Sequence, residues 1–360
     1  MSKPPPNGQR RQNERANPVF GAPAQLTPKL IDVAHAAGVS LATASRALSA
    51  PDQVRAETRD RVIEAANELG YLAHGAARAL ASQRTRTIGA IFPPVDNPVF
   101  ASGTHALAKT LSSAGYTLLL ATHDYDRKEE LSAARRLMER GVDGLVLVGQ
   151  DHDPVLMQLL EKTGMPFELT WSLDAEEKCF SIGIDHVAAA AEITQYLIDL
   201  GHQKFGVIAG QIDRNDRAAA RLRGVRQTLA AAELALPESL VRQTSFTITH
   251  GRQVMAELLA SGERFTAVLC SNDLLAMGAV LEAESQGIAV PEQMSIVGFD
   301  DIEFAAQLKP SITTMRVPSA DIGRQAGQRM LARLAGEPVA ICESLQSILI
   351  KRESAGPAPK

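Results

Sequence analysis

Cysteine is nearly absent from this 360-residue chain: Cys179, Cys270 and Cys342 are the only three, odd in number and far apart. They form no disulfide framework and match no zinc-ligand spacing, so a reducing compartment, the cytoplasm, is the expected setting. No apolar run approaches the roughly 18 residues that a membrane-spanning helix needs. The best of them, YTLLLA and GLVLVG, have strand length. The amino-terminal stretch MSKPPPNGQRRQNERANP has no apolar core of the secretory-signal kind. Enzyme signatures are missing as well: no GxGxxG opens a strand-helix unit, and neither a GxxxxGK[ST] loop nor a GxSxG turn occurs. His74, His123, His186 and His202 show no spacing that gathers a nucleophile, a base or metal ligands. No catalytic residue, cofactor or metal is therefore expected, and the chain does not read as an enzyme.

Hydrophobic residues make up 45% and charged residues 22%, a globular profile, and the length exceeds one ordinary domain. The net charge of −4 hides an uneven distribution. Residues 1–85 carry 11 Lys and Arg against 7 Asp and Glu; the remainder carries 26 against 34, from totals of 37 and 41. A basic head on an acidic body suits a small polyanion-binding module joined to something with another task.

The texture of the chain divides it further. Residues 1–27, rich in Pro, Gly, Gln, Asn and Arg, have little to bury and are expected as a disordered arm. Residues 28–73 show short helical patterns, and 74–86 form an Ala- and Arg-rich connector. From 87 to 350 short apolar runs alternate with amphipathic helical stretches, and 351–360 is expected as a flexible tail. The strand candidates are 87–93, 116–122, 144–149, 166–171, 204–210, 266–271 and 294–300. Helix candidates lie near 99–114, 127–140, 153–163, 186–200, 217–235, 250–261, 273–286 and 318–335. Apolar runs without polar alternation suit strands buried on both faces, and strand-helix alternation implies parallel sheets with right-handed crossovers. The stretch is long for one doubly wound sheet, so two similar α/β lobes are expected.

The segment DVAHAAGVSLATASRALS (32–49) carries the sharpest signal. A first short helix would bury Val33, Ala34 and Ala37. Gly38 supplies the tight turn, Val39 plugs the angle, and Ser40 stands where an N-cap hydroxyl belongs. In the second helix Ala44 and Leu48 face inward, leaving Leu41, Ala42, Thr43, Ser45 and Arg46 at its start or on its exposed face. A third helix over 55–70 has Val62, Ala65, Ala66 and Leu69 at core spacing. Two helices joined by a short Gly-containing turn are the form in which the second helix enters the DNA major groove. Arg46 can contact guanine bidentately, while Leu41 and Thr43 offer apolar and hydroxyl contacts. A plain Ala-rich hairpin would share the helical pattern but not the Gly-Val-Ser turn.

On these residues the head resembles the LacI/GalR family of bacterial transcription regulators, whose pattern is similar to DVA..AGVS..TVSR.L; Ala44 replaces the commoner Val. The resemblance extends through DNPVF (96–100), GVDGLVLVG (141–149), LGHQKFGVIAG (200–210), RLRGV (221–225), SNDLLAMGA (271–279) and SIVGFDD (295–301). It implies a helix-turn-helix head, a hinge helix in 74–82 with Leu80 as a minor-groove wedge flanked by Ala77, and a two-lobed body like that of periplasmic sugar-binding proteins. An apolar side chain wedged between base steps would unstack and kink the duplex.

Ligands of open α/β sheets bind at the carboxyl ends of strands. That rule nominates Asn97, Phe100, Thr122, Asp124, Trp171, Asp185, Asn272 and Asp300. The resemblance adds Arg221 as a clamp on ligand oxygens, a role its rigid fork of donors suits. Trp171, the single tryptophan, stands where relatives carry Asp or Asn, and could stack on a sugar face or a planar ring. The expected function is a sequence-specific DNA-binding regulator, a repressor whose operator affinity is set by a sugar or sugar acid between the lobes. A homodimer on a pseudo-palindromic duplex is expected, because one head reads too few base pairs. A solute-binding protein with the same body and a cytoplasmic α/β enzyme such as a nicotinamide dehydrogenase remain the alternatives. The DNA-binding head argues against the first, and the missing nucleotide fingerprints against the second.

Overall fold

A computed structural model describes residues 28–49, 51–71, 84–94, 97–174 and 176–360. The arm over 1–27 and the hinge positions Ala77 and Leu80 lie outside the described residues. The chain divides into two compact units, residues 1–83 and 84–360.

In the first unit α1 (Leu30–Ala36), α2 (Leu41–Ser49) and α3 (Ala56–Leu69) enclose a core of Val33, Ala34, Ala37, Ala44, Ala47, Val62, Ala65 and Ala66. Small side chains let the three helices approach closely around two valines. Gly38 makes the turn between α1 and α2 at φ +63, a conformation other residues adopt only with strain. Gly70 ends α3 in the same left-handed region. Leu69, expected in this core, is 38% exposed instead, and the last turns of α3 reach the core through Ala65 and Ala66.

The second unit holds two six-stranded sheets. The first lobe contains β1 (Thr87–Phe92), β2 (Thr117–Thr122), β3 (Gly144–Val148), β4 (Phe167–Trp171), β5 (Ser181–Gly183) and β11 (Cys342–Ser344), in the order β11-β5-β4-β3-β1-β2. Its helices are α4 (Pro98–Ser113), α5 (Arg127–Glu139), α6 (Pro154–Thr163) and α11 (Ser319–Ala335). The second lobe contains β6 (Phe205–Gly210), β7 (Val241–Thr244), β8 (Ala267–Cys270), β9 (Ser295–Asp300), β10 (Thr313–Arg316) and β12 (Ile348–Ile350), in the order β12-β10-β9-β8-β6-β7. Around it lie α7 (His186–Asp199), α8 (Asp216–Ala231), α9 (Ile248–Ala260) and α10 (Asp273–Ser285).

The two sheets repeat one topology, and every pairing is parallel except the antiparallel β10–β12 edge. The central strands β3, β6, β8 and β9 are buried along their whole length, as continuous apolar runs under helices on both faces require. The chain passes between lobes after β5, after β10 and between β11 and β12, so both lobes contain residues from distant parts of the sequence.

The expected flexible tail at 351–360 is corrected by the structure. Ser354 is fully buried: its hydroxyl donates to the Ile296 carbonyl and accepts from Thr313 N–H, while its backbone pairs with Ile296 and Ser311. His202 and Ser295 bond the Gly356 backbone, and Ala358 N–H donates to the Leu200 carbonyl. Backbone groups satisfied this fully belong to the fold, not to a loose end. Among the described residues no helix is long and apolar enough to cross a membrane, and no cluster of three potential metal ligands occurs.

Candidate functional site

Two surfaces gather the nominated residues. On the head, Ser40 caps α2: its hydroxyl oxygen accepts from Thr43 N–H at 3.1 Å and lies 2.8 Å from the Thr43 hydroxyl. Ala44 and Ala47 are turned into the core, which leaves Ser40, Leu41, Ala42, Ser45 and Arg46 exposed and Thr43 half-buried. Leu41, at 48% exposure, is a large apolar residue held at a helix start. One face of α2 therefore presents an apolar patch, hydroxyls and a guanidinium, next to the free N–H groups of a helix terminus that favour phosphate.

In the body, the carboxyl ends of both sheets meet at a narrow cleft. From the first lobe it is lined by Asn97, Val99 and Phe100 after β1, Tyr125 after β2 and Trp171 at the end of β4. From the second come Asn215, Arg217 and Arg221 on or before α8, Phe246 after β7, Asn272 after β8 and Asp300 at the end of β9. Asp124 stands at the outer mouth with Gln211 and Thr247. Seven nominated residues thus reach one place. Thr122 and Asp185 do not: Thr122 is exposed at the end of edge strand β2, and Asp185 caps α7 through Val187 and Ala188 N–H. A neighbouring small gap behind Arg221, walled by residues such as Ile193, Val207 and Val225, lies in apolar packing with few polar groups.

Arg221 organises the polar end of the cleft. Its Nε donates to His186 Nδ1 at 3.2 Å, one terminal nitrogen to the Ser271 carbonyl at 2.5 Å, and the other to Asp300 at 3.3 Å. The guanidinium lies 3.8 Å over the centre of the Phe299 ring. Three of its five N–H groups are engaged, leaving two for a ligand. Asn272 caps α10 through its Oδ1, and its Nδ2 is buried with no partner among the described residues. A buried donor without an acceptor is costly, and a ligand oxygen would relieve it.

Burial pushes the Asp300 carboxyl up to about 6, against the pull of Arg221. Asp273, at the start of α10, is pushed up to about 8 by burial and by Asp300, although Thr314 and Ile302 N–H bond it. His186 is held well below the usual imidazole range by burial and by Arg221, so it is neutral; its Nε2 donates to the Trp171 carbonyl at 2.8 Å.

The opposite wall is aromatic. Phe92, Phe100 and Trp171 pack edge to face, with ring centres 5.2–5.8 Å apart. Trp171, open from the sequence to either a stacking or a core role, is only 2% exposed, and its Nε1 reaches Ser319, so it stands in the wall. Tyr125 and Phe246, half-buried on opposite lobes, stand 6.4 Å apart at the mouth and are the rings placed to embrace a ligand. Tyr125 (φ +58), Trp171 (φ +62) and Asp300 (φ +110) all sit in backbone regions unfavourable for side-chain-bearing residues. Strain gathered at one cleft is a usual companion of function.

Sequence reasoning missed Tyr125, Asn215, Arg217, Phe246 and His186. The strand-end rule reaches Tyr125, Asn215 and Arg217 once it is extended a few residues beyond β2 and β6. Phe246 follows β7, a strand too polar to be recognised from VRQT. His186 had no signal, because its two partners come from distant segments.

Residues 29–73 match the family described as bacterial regulatory proteins, lacI family, and residues 194–355 match the periplasmic binding protein-like domain. The HTH-type transcriptional repressor CytR of Escherichia coli K12 is 32% identical over 309 residues, which span 86% of this chain and 90% of that one. Among solved structures, the transcriptional regulator CelR–cellobiose complex is similar at a TM-score of 0.68 and 31% identity, covering 91% of this chain and 99% of that one. The Lac repressor dimer bound to operator and the anti-inducer ONPF is similar at a TM-score of 0.81 and 25% identity, covering 92% and 99%.

Proposed function

Because the chain belongs to the lacI family of bacterial regulatory proteins, we propose that the open face of α2 reads operator base edges while the interlobe cleft holds a small polar effector. The chain is a DNA-binding transcription regulator with an effector-binding body of the periplasmic-binding-protein type, and it is not an enzyme. On the head, Arg46 reads guanine, Leu41 and Ala42 meet thymine methyls, and Ser40, Thr43 and Ser45 serve phosphates or base edges. Leu80, flanked by Ala77, wedges into the minor groove. Two heads act together, so a homodimer on a pseudo-palindrome with half-sites about one helical turn apart is the working unit.

The effector is a sugar, sugar acid or similar metabolite, in keeping with the cellobiose of the CelR complex. Arg221, Asn272, Asn97 and Asp300 bond its polar groups, Asp124 guards the entrance, and Phe100, Trp171, Tyr125 and Phe246 cover its apolar face. The observation that carries this assignment is the partnerless Nδ2 of Asn272, buried beside the two uncommitted N–H groups of Arg221. The regulator represses, and effector binding changes operator affinity through the lobes. A coupling of roughly 1–3 kcal/mol corresponds to about 5–150-fold in affinity, enough to switch a promoter.

Selection of duplexes from a random library by the full-length protein, followed by a thermal-shift and gel-shift screen of carbon-source metabolites, tests both halves. Enriched inverted repeats and a metabolite that moves both stability and operator affinity are expected. No enrichment of any duplex refutes the DNA assignment; metabolites that bind Arg221→Ala as well as wild type refute the cleft.

A further inference from the structure

Behind the Tyr125 wall, the first lobe buries three titratable side chains that the effector site does not use. Glu130 on α5, His152 after β3 and His123 after β2 are 2%, 7% and 9% exposed. His152 Nδ1 lies 2.7 Å from Glu130 Oε1, and its Nε2 lies 3.0 Å from the Gly149 carbonyl. A carboxylate and a carbonyl only accept, so both ring nitrogens donate and His152 is an imidazolium. Burial opposes that charge, and the Glu130 carboxylate outweighs it and raises the imidazole above its ordinary value. His123 is different. Neither of its ring nitrogens has a hydrogen-bond partner among the described residues, and its Nε2 is 4.0 Å from the Glu130 oxygen that His152 already neutralises.

The second lobe closes over this cluster with Arg217, which is 6% exposed and ion-paired with Asp216 at 2.9 Å. Its guanidinium occupies the place where a side chain on Gly149 would project, and Gly149 itself sits at φ +91. The Ser172 hydroxyl donates to Asp216 at 2.5 Å, so the start of α8 is seated in the first lobe by both residues. The charged and titratable groups around His123 are Asp124 and Tyr125 on its own loop, Glu130 on α5, His152 after β3 and Arg217 on α8. Burial first, with His152 and Arg217, holds the His123 imidazole below its ordinary value, against Glu130 and Asp124.

We propose that His123 and Arg217 form a proton-sensitive latch between the lobes, in which the closed cleft requires a neutral His123 and its protonation releases Arg217 and opens the cleft. A proton on His123 would add a third cation to a dry environment in which Glu130 already pairs with His152 and Asp216 with Arg217, leaving only the exposed Asp124 carboxylate to offset it. Withdrawal of Arg217 removes one cation and admits water, so the open form binds the proton more readily. The sign follows: a group whose closed-state value is depressed stabilises closure above its open-state value, near 6.5 for histidine, and that stabilisation fades as the pH falls. The closed-to-open ratio then drops by at most roughly tenfold per pH unit. This latch needs neither effector nor DNA, so it stands or falls apart from the assignments above.

The test uses the full-length, unliganded protein with carbon-13 at histidine Cε1, titrated by NMR, with the His123 signal identified by its loss in His123→Gln. His123 is expected to titrate below 6.5, and Arg217→Ala to move it upward. A wild-type midpoint at or above that value, or no movement in Arg217→Ala, overturns the latch. Spin labels on Gln158→Cys and Gln227→Cys, exposed on α6 and α8, report the lobe separation in a Cys179→Ser, Cys342→Ser background. Acidification from about pH 7.5 to about 5.5 should lengthen the distance in wild type and not in His123→Gln. Lengthening in both, or in neither, overturns it as well.

Discussion

Replacing Arg221 with alanine removes the cation beside Asp300, and the consequence can be worked out from the neighbouring carboxyl. Asp300 is pushed up to about 6 with Arg221 in place, whereas Asp273, equally buried but bonded only by Thr314 and a backbone N–H, reaches about 8. With Asp273 as the upper gauge, since Asp300 also pushes it and Arg217 still pulls on Asp300, loss of Arg221 lifts Asp300 at most into the same region. A carboxyl whose folded value lies above its unfolded value of about 3.9 opposes folding by an amount that grows with pH until the folded value is passed. In wild type this growth stops near pH 6; in Arg221→Ala it continues at most to about pH 8. At 1.36 kcal/mol per pKa unit, the added penalty is slight at about pH 6 and at most about 2 kcal/mol at about pH 8.

For a unit of this size, 1 kcal/mol corresponds to roughly 2–4 °C in Tm, so the extra loss at the higher pH is at most about 4–8 °C. Lost stacking on Phe299 and the lost bond to the Ser271 carbonyl lower Tm at both pH values alike, so the difference between the two pH values carries the test. Thermal unfolding of the full chain at about pH 6 and about pH 8 measures it. An equal loss at both, or a greater loss at the lower pH, would refute the reasoning. The same variant should keep operator binding without effector, because Arg221 lies in the body and not in the head.

Arg46→Ala should leave the head folded, since Arg46 is exposed, and should weaken binding to a selected operator by about 1–3 kcal/mol while sparing random duplex. Competition gel shifts measure both, and equal losses on the two would contradict base reading. Gly38→Ala meets no atom within 4 Å but must hold φ +63, so it should cost the head about 1 kcal/mol through backbone strain alone. A lowered unfolding midpoint of α1–α3 by circular dichroism, with the body's transition unchanged, is the expected result; an unchanged midpoint would show that the turn relaxes freely.

Much of the fold was legible because its signals are local. Gly38, Ser40 and the alanines of α1 and α2 announce the head within twenty residues, and the body helices announce themselves by amphipathic spacing. The central strands read as apolar runs because helices cover both faces. The strands that escaped notice are short and lie at or toward the sheet edges: β5, β7 and β11 have three or four residues, and β7 and β11 are partly exposed. β10 is buried yet rich in threonine, and β12 is half-exposed. Such strands are held by pairing with neighbours, which no local pattern records.

The sequence by itself therefore determined the kind of module at each end of the chain, the layered α/β body and the strand ends where a ligand would lie. Only the tertiary structure decided which strand ends face each other, that Trp171 is wall and not platform, and that Arg217 crosses to Gly149 above His123. It also turned residues 351–360 from an apparent loose end into a segment bonded to Ile296, Ser311 and Leu200. The physical reason is the same in each case. Helix and strand preferences depend on neighbours a few residues away, whereas burial, ion pairing and proton affinity depend on groups brought together from segments tens to more than a hundred residues apart, such as His186 with Arg221 or Ser319 with Trp171.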